Sequence, residues 1–298
     1  MTIAACYLSA EGVVLGADST STMFVAGRGG QIGSEHHYNF AQKIFEVGDP
    51  GSTVGVALWG LGSLHNKSHR TLMAEIADEA KNQRPCSLED LAKLAANMFW
   101  QTYEAAFPDH LKRVRELKSK GDSRTEKENQ EYWWYRQNLA GGLCLGGRWG
   151  TSRQPGAFEI LFEPTQEQVP QSKPLTIGNA YFWGCPNLID RLIRGMDFDM
   201  FSRILNSGKW QGDGKDLFSL LEQGALGQPY DLPLREAIDW VHASIYTTIK
   251  AMKFSHLEPV CGGPIEIGVI STDRPFRWVC HKDMCQAIVA DQTMEERP

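Results

Sequence analysis

Residues 2–22 read TIAACYLSAEGVVLGADSTST, and this stretch decides the fold. TIAACYL is apolar and rich in residues that favour β-structure, SAEG is a turn signal, and VVLGA is a second apolar run. The pattern predicts a β-hairpin that begins at the first residues of the chain. Asp18 ends its second strand, and Thr2 stands directly after the initiator methionine. Whether Thr2 has a function depends on what the rest of the chain supplies.

The composition is typical of a soluble globular protein. The chain has 298 residues, 42% of them hydrophobic and 22% charged, enough for one large domain or two small ones. A net charge of −6 argues against nucleic acid as the main partner, because phosphate binding favours a basic face. No apolar run approaches the roughly 18–20 residues that cross a bilayer, and the N-terminus lacks a signal-peptide pattern. We therefore expect a cytoplasmic protein that binds neither nucleic acid nor membrane.

The seven cysteines are scattered and odd in number, and several lie inside apolar segments. This favours reduced, buried thiols over a disulfide framework. Cys280, His281 and Cys285 form a C-H-x3-C cluster, but no second cluster completes the four ligands of a zinc site. The sequence therefore predicts no metal site and no cofactor.

The first third of the chain is predicted to pass from strands to helices. The polar, Gly-rich residues 19–39 indicate a mobile loop or an irregular hairpin, and residues 43–47 and 53–60 form a second strand pair. A helix is compatible with the stretch from Ser63 to about Gln83.

A second helix is predicted over residues 88–107, where Ser87 caps a stretch with an apolar stripe at helical spacing. The charged residues 109–131 that follow are typical of a solvated helix or a disordered excursion.

Strands resume in the second half of the chain, at 142–147, 157–164, 175–184, 264–271 and 277–280. Residues 187–195 form a helix, and an irregular stretch runs to about residue 232. A long helix follows, with Leu234, Val241 and Ile245 among the apolar residues on one face. No linker separates these blocks. We therefore predict one α+β domain of two antiparallel sheets with helices packed outside them.

An N-terminal threonine can combine two catalytic roles. Its hydroxyl is a poor nucleophile without a nearby base, and a free α-amino group, with a pKa of about 7.7–8.0, can accept a proton near neutral pH. Removal of Met1 would place both groups on Thr2. The mechanism then requires a buried cation, a carboxylate to hold it, and a backbone donor for the oxyanion. Asp18, Lys43 and Gly60 stand at strand ends where they could supply these.

At these residues the chain resembles the proteasome β-subunit family of N-terminal-nucleophile hydrolases, including the bacterial proteasome-like proteins. TIAACYLSAEGVVLGADSTST is similar to the opening segment of the family, QKIFEV to its lysine-bearing strand, and VALWGLG to the strand before its oxyanion glycine. LAKLAANMF and EPVCGGPIEIGVI match later segments. The resemblance implies a four-layer αββα sandwich over residues 1–298. Relative to the family, insertions fall near 108–135 and 200–230.

The resemblance also implies residue roles. Thr2 would be the nucleophile and its freed amine the base. Asp18 would hold Lys43, Lys43 would lower the pKa of the amine, and the Gly60 amide would stabilise the oxyanion. These four residues form the implied catalytic core.

Further positions match the substrate cleft and the supporting residues of the family. Thr22 and Leu58 would line the cleft, with Leu58 near the pocket for the residue before the scissile bond, which suggests an apolar preference. Glu258 stands where the family has an aspartate, and Cys261 where it has a serine. A further supporting serine is absent near Ala140. These departures put the supporting residues in doubt more than the nucleophile.

The expected function is a threonine-type peptidase that cleaves peptides or unfolded proteins through an acyl-enzyme. The family match implies a homo-oligomeric ring, whose unfoldase or regulator the sequence does not identify. Two alternatives stay open. A non-catalytic scaffold of the same fold would retain Met1 or have defective supporting residues. A small-molecule amidase would often arise by self-cleavage of a longer precursor, and the lack of such a segment favours the peptidase.

Overall fold

The computed structural model describes residues 2–24, 35–49, 51–64, 67–256 and 260–282, with the backbone alone at 22–24 and 35–37. Within these residues the strands are β1 Ile3–Ser9, β2 Gly12–Ala17, β3 Ser21–Phe24, β4 Glu35–Tyr38, β5 Ile44–Glu46, β6 Val54–Trp59, β7 Gly141–Gly147, β8 Gly156–Phe162, β9 Lys173–Pro174, β10 Asn179–Gly184, β11 Glu266–Ser271 and β12 Arg277–Cys280. The helices are α1 His69–Gln83, α2 Leu88–Ala106, α3 Pro108–Lys120, α4 Glu126–Asn138, α5 Asn187–Arg194, α6 Phe198–Asn206, α7 Gly214–Glu222 and α8 Leu234–Phe254.

The strands form two five-stranded antiparallel sheets. The first sheet has the order β10-β1-β2-β11-β12 and the second the order β5-β6-β7-β8-β9. The strands β3 and β4 pair separately as a short antiparallel hairpin, which agrees with the irregular hairpin predicted for residues 19–39. Residues 25–34 of that stretch lie outside the described part of the chain.

Successive side chains in the central strands face opposite sides, and this alternation builds the layers. In β1, Cys6 packs between the two sheets, whereas Ala5 and Tyr7 pack toward helix α8. In β6, Ala57 faces the space between the sheets, whereas Leu58 faces the cluster that contains α1 and α2. Helices therefore cover the outer face of each sheet. The predicted α+β class and its four-layer αββα arrangement are confirmed.

The opening hairpin has the predicted strands and turn. Ser9 pairs with Gly12 across the turn, and the Ser9 hydroxyl accepts a hydrogen bond from the Glu11 amide at 3.1 Å. The register places Ala4 opposite Ala17, so that the start of β1 and the end of β2 lie side by side. Thr2 and Asp18, which flank these two ends, are therefore brought to the same edge of the fold.

Two helix predictions need correction. The first helix begins at His69 and not near Ser63, because the Ser68 hydroxyl caps it by accepting from the Thr71 amide at 3.1 Å. The stretch before residue 232 contains helices α6 and α7 in place of the predicted irregular chain. Both have an aspartate at the N-cap, Asp197 and Asp213, a signal that was readable from the sequence.

The charged run at 109–131 forms nearly all of α3 and the first part of α4. Thr125 and Glu128 make a reciprocal capping box at the start of α4. Val114 and Leu117 of α3 are fully buried in a small apolar cluster that also contains Tyr132 of α4. The run is therefore a helical hairpin with a narrow buried stripe, which agrees with the first of the two predicted alternatives, a solvated helix, and not with a disordered excursion.

None of the helices among the described residues combines the length and the apolar character that a membrane span requires. In the same part of the chain, no three His, Cys, Asp or Glu side chains are grouped so as to hold a metal ion. Cys6, Cys144, Cys185 and Cys261 are buried and not in disulfides, as predicted, whereas Cys86 is exposed. Cys285 lies outside the described residues.

Candidate active site

The carboxylate of Asp18 is fully buried and accepts four hydrogen bonds. Its Oδ1 accepts from Lys43 Nζ at 2.6 Å and from the Ile3 amide at 3.1 Å. Its Oδ2 accepts from the amides of Thr20 at 3.1 Å and Gly262 at 3.0 Å. All four partners donate, and a carboxylate is the side chain that only accepts. The Asp18 carboxylate therefore connects its own segment to the start of β1, to Lys43 and to Gly262.

The ion pair between Asp18 and Lys43 connects the two sheets. Asp18 directly follows β2 of the first sheet, and Lys43 directly precedes β5 of the second. The Lys43 carbonyl accepts from the Leu58 amide at 2.9 Å, which fixes its backbone to β6. The side chain of Lys43 is 9% exposed and that of Asp18 is 0% exposed. A buried ion pair is stable only when further hydrogen bonds offset the desolvation of both charges, and the three amides at Asp18 do this.

Thr2 lies directly before β1 and is 3% exposed. Its neighbour Ile3 is bound to Asp18 through both backbone groups, since the Asp18 amide also donates to the Ile3 carbonyl at 3.1 Å. On the other side lies Gly184 of β10, with φ of +83°, where a Cβ would stand 1.9 Å from the Thr2 carbonyl oxygen. Only glycine allows this approach. The Thr2 backbone is therefore held between Asp18 and β10.

Thr2, Lys43, Leu58 and Gly60 line one small pocket, together with the imidazole-bearing residue His69. The cavity volume is about 30 Å³. This space is enough for about two or three water molecules, because one water needs about 10–15 Å³ of such volume. The pocket brings the predicted nucleophile, the cation and the oxyanion glycine to one place, and it is too small for a peptide side chain.

Cys261 lies at the edge of this arrangement. It is buried and directly precedes Gly262, whose amide binds Asp18. Its thiol is in hydrogen-bond contact with that of Cys185, which follows Gly184 beside Thr2, and this contact together with burial raises the pKa of Cys261. The same contact lowers the pKa of the Cys185 thiol. Cys261 therefore packs beside the Asp18 network, in contact with another thiol.

The structure does not describe the side chains of the other two predicted site residues. The backbone of Thr22 pairs with His37 in the β3–β4 hairpin, but its side chain is not among those described. Glu258 lies outside the described residues. Their roles stay predictions.

Comparison with known proteins assigns neither a family nor an activity to the chain. No protein-family model and no curated protein matches the sequence. Among solved structures, a mutant of Anbu from Hyphomicrobium sp. strain MC1 is similar over 100% of this chain and 98% of its own, with a TM-score of 0.48 and 13% identity. Such a likeness is too distant to assign an activity.

The sequence did not predict two groups of site residues. The amides of Ile3, Thr20 and Gly262 act through the backbone, so their residue types carry no signal. His69 enters the pocket because α1 begins there, and the predicted helix began six residues earlier. Its imidazole stacks on Phe99 with ring centroids 6.2 Å apart.

Burial lowers the pKa of His69 to about 4, so its imidazole is neutral at pH 7. As the pH falls from about 6.5 to 4, the unfolded chain gains a proton on this residue that the folded chain does not. The free energy of unfolding should therefore fall over this range by up to about 3 kcal/mol more than in a His69→Gln variant, with no difference arising above pH 7. Urea denaturation of both proteins at several pH values measures it. Parallel pH profiles would contradict the assigned burial.

Proposed function

We propose that this chain is a threonine-type N-terminal-nucleophile hydrolase that cleaves peptide bonds, with Thr2 as the nucleophile. The observation that carries the proposal is the Asp18 network. It fixes Lys43 and the backbone next to Thr2 to the same carboxylate, beside a pocket that also contains Gly60. This is the set of groups that an N-terminal threonine requires for activation.

The reaction first requires cleavage of the Met1–Thr2 bond, because an amide nitrogen is not basic. The freed amine of Thr2 then accepts the proton of its own hydroxyl while Oγ attacks the substrate carbonyl carbon. The Gly60 amide donates to the resulting oxyanion. As the peptide C–N bond breaks, the leaving amine takes the proton, and the acyl group stays on Oγ as an ester. Water, deprotonated by the same amine, hydrolyses the ester and restores Thr2.

Lys43 supports this cycle through its charge. Its ammonium is fixed by Asp18 at 2.6 Å, and Lys43 lines the same pocket as Thr2, which supports a positive charge near the proposed amine. A nearby cation favours the neutral, basic form of an amine. The side chain of Leu58 at the pocket wall supports a preference for an apolar residue before the scissile bond. We further propose that the chain assembles as a homo-oligomer, with peptides or unfolded proteins as substrates.

A non-catalytic scaffold of the same fold is the second candidate. Two observations favour it: Thr2 is only 3% exposed, and the pocket volume is about 30 Å³. A peptide would reach Thr2 only if the pocket opened. Retention of Met1 is the chemical signature of this alternative.

Intact-mass analysis of protein isolated from its native cells separates the two. We expect a mass without Met1, and a single added mass after treatment with a peptide epoxyketone, a probe that reacts with both groups of an N-terminal threonine. Peptide mapping should place the adduct on Thr2, and a Thr2→Ala variant should gain none. Retained methionine, or a wild-type protein without an adduct, would refute the peptidase. An adduct that forms while small amides, and not peptides, are hydrolysed would favour an amidase.

A further inference from the structure

A second buried ion pair lies behind Asp18, and the sequence did not predict it. Glu266 of β11 is fully buried and faces Ala17 of β2 in register, one residue before Asp18. Lys282, which follows β12, places its Nζ 3.1 Å from Glu266 Oε2. The side chain of Lys282 is 5% exposed. Neither residue lines the pocket that contains Thr2.

The ammonium of Lys282 has two further partners on the segments that carry the site. It donates to the Ala41 carbonyl at 2.8 Å and lies 3.5 Å from the Ser19 hydroxyl. Ala41 precedes Lys43 by two residues, and Ser19 follows Asp18 directly. An ammonium has three protons, so Glu266, Ala41 and Ser19 account for all its donors.

Ser19 connects the Lys282 contacts to the segment of Gly262 and Pro264 through hydrogen bonds. Its hydroxyl donates to the Pro264 carbonyl at 2.7 Å, and its amide donates to the Gly262 carbonyl at 3.0 Å. Its own carbonyl accepts from the Ala41 amide at 2.9 Å. The Gly262 amide in turn binds Asp18 Oδ2 at 3.0 Å. The three segments that meet at Asp18 are therefore also tied together at Lys282.

The geometry points to Lys282 and Glu266 as positioning residues for the Asp18–Lys43 pair. The inference rests on the proposed function of Thr2 and deepens it. The ammonium fixes the backbone on either side of the carboxylate and of the catalytic lysine, so that Asp18 keeps all four donors. The alternative, a serine–lysine nucleophile pair, is disfavoured because the Ser19 hydroxyl is buried and already donates to Pro264.

The surroundings of Lys282 both favour and oppose the charged form of its ammonium. Glu266 favours the charged ammonium, whereas burial, Lys43 and Arg70 oppose it, and burial is the largest of these effects, so the pKa of Lys282 is lowered. His281 faces the other oxygen of Glu266, with Nδ1 2.8 Å from Oε1, and stacks on Trp278 with ring centroids 4.1 Å apart. Glu266 is therefore required as the counter-charge in this position.

Lys282→Met tests the inference, because methionine keeps most of the side-chain volume and removes the charge and the three donors. We expect amide hydrogen exchange at Thr20 and Gly262, the two donors to Asp18 Oδ2, to accelerate about tenfold or more. Exchange at Val56 and Leu145 in the second sheet should not change. Hydrolysis of a fluorogenic peptide should show kcat lowered about tenfold or more at nearly constant KM, as expected for a misplaced catalytic group. Lys81→Met, at an exposed lysine of α1 that pairs with Asp49, is the matched control and should change neither.

Unchanged exchange at Thr20 and Gly262 would overturn the inference. Equal acceleration at Val56 and Leu145 would also overturn it, because the pair would then serve general stability. If Lys282→Met does not fold, Glu266→Gln, which keeps an acceptor and removes the charge, must show the same local pattern. A wild-type protein without hydrolysis would refute the proposed function, and the exchange measurement would still decide whether Lys282 positions Asp18.

Discussion

Asp18→Asn is expected to lower the free energy of unfolding by about 3–5 kcal/mol, the usual cost of leaving a buried charge unpaired. The hydrolysis proposed for Thr2 should fall about 10²–10⁴-fold, because Lys43 would no longer be held where it favours the basic form of the Thr2 amine, and acid–base catalysis contributes in this range. The substitution changes almost no volume. Its effect therefore reports the charge and the hydrogen bonds of the carboxylate.

Asp18→Asn is expected to have this effect because each carboxylate oxygen of Asp18 accepts from two donors. Lys43 and Ile3 donate to Oδ1, and Thr20 and Gly262 donate to Oδ2. An asparagine has one accepting oxygen and one donating nitrogen, so in either orientation its NH₂ faces two donors. Two partners lose their acceptor in a buried site, and the Lys43 ammonium loses its counter-charge.

Urea denaturation and hydrolysis of a fluorogenic peptide measure the two effects. Glu89→Gln is the matched control, since it removes the charge from an i,i+4 pair with Lys93 on the exposed face of α2. We expect no measurable change in its unfolding midpoint, because exposed pairs contribute little. Equal stability of Asp18→Asn and the wild type would show that the carboxylate is not the acceptor of all four donors.

Gly60→Ala is expected to cost roughly 2–5 kcal/mol of unfolding free energy and to abolish hydrolysis. Gly60 has φ of +84°, and a Cβ there would stand 2.3 Å from the Ala140 carbonyl oxygen and 2.5 Å from the Gly141 Cα. The backbone conformation and the contact both oppose a side chain. Relief of the contact would move Gly60 away from the start of β7, and with it the amide proposed to bind the oxyanion.

Gly121→Ala is the control that separates the cost of positive φ from the cost of the steric contact made by an alanine at Gly60. Gly121 also has positive φ, at +52°, but among the described residues no atom outside the local backbone and the two chain neighbours lies within 4 Å of the Cβ that would be added. This variant should lose only the conformational contribution, about 1–3 kcal/mol, with hydrolysis unchanged. Thermal unfolding of the two variants measures the difference. Equal destabilisation would imply that the end of β7 yields to the new methyl group.

The parts of the fold that sequence predicts best are those with a strong local pattern. The opening hairpin and the strands β5 and β6 before Gly60 follow from apolar runs bounded by turn signals, and the stripe of α8 follows from helical spacing. Helices α6 and α7 were missed because each is nine residues long and buries little of its surface. The register of β1 against β10, which holds Thr2 beside Gly184, depends on pairing between distant strands and had no local signal.

Within the site, the sequence indicated the side chains that line the pocket, but it did not indicate the backbone amides at Asp18 or the Lys282–Glu266 pair. Lys43, Leu58 and Gly60 line one pocket with Thr2, and Asp18 pairs with Lys43 behind it. The roles that the resemblance implies for these residues stay predictions. The three amides at Asp18 belong to unrelated residue types. Lys282 was unpredictable for another reason, since its partner Glu266 lies in an apolar strand where a buried glutamate is unexpected.

The place of β1 within its sheet has a consequence for motion. Residues near a chain end usually fray on fast timescales, at almost no cost in free energy. Here β1 is an inner strand, with β10 on one side and β2 on the other. Its first residue is released only when hydrogen bonds on both flanks break together. The backbone beside Thr2 should thus open as rarely as the backbone of the central strands.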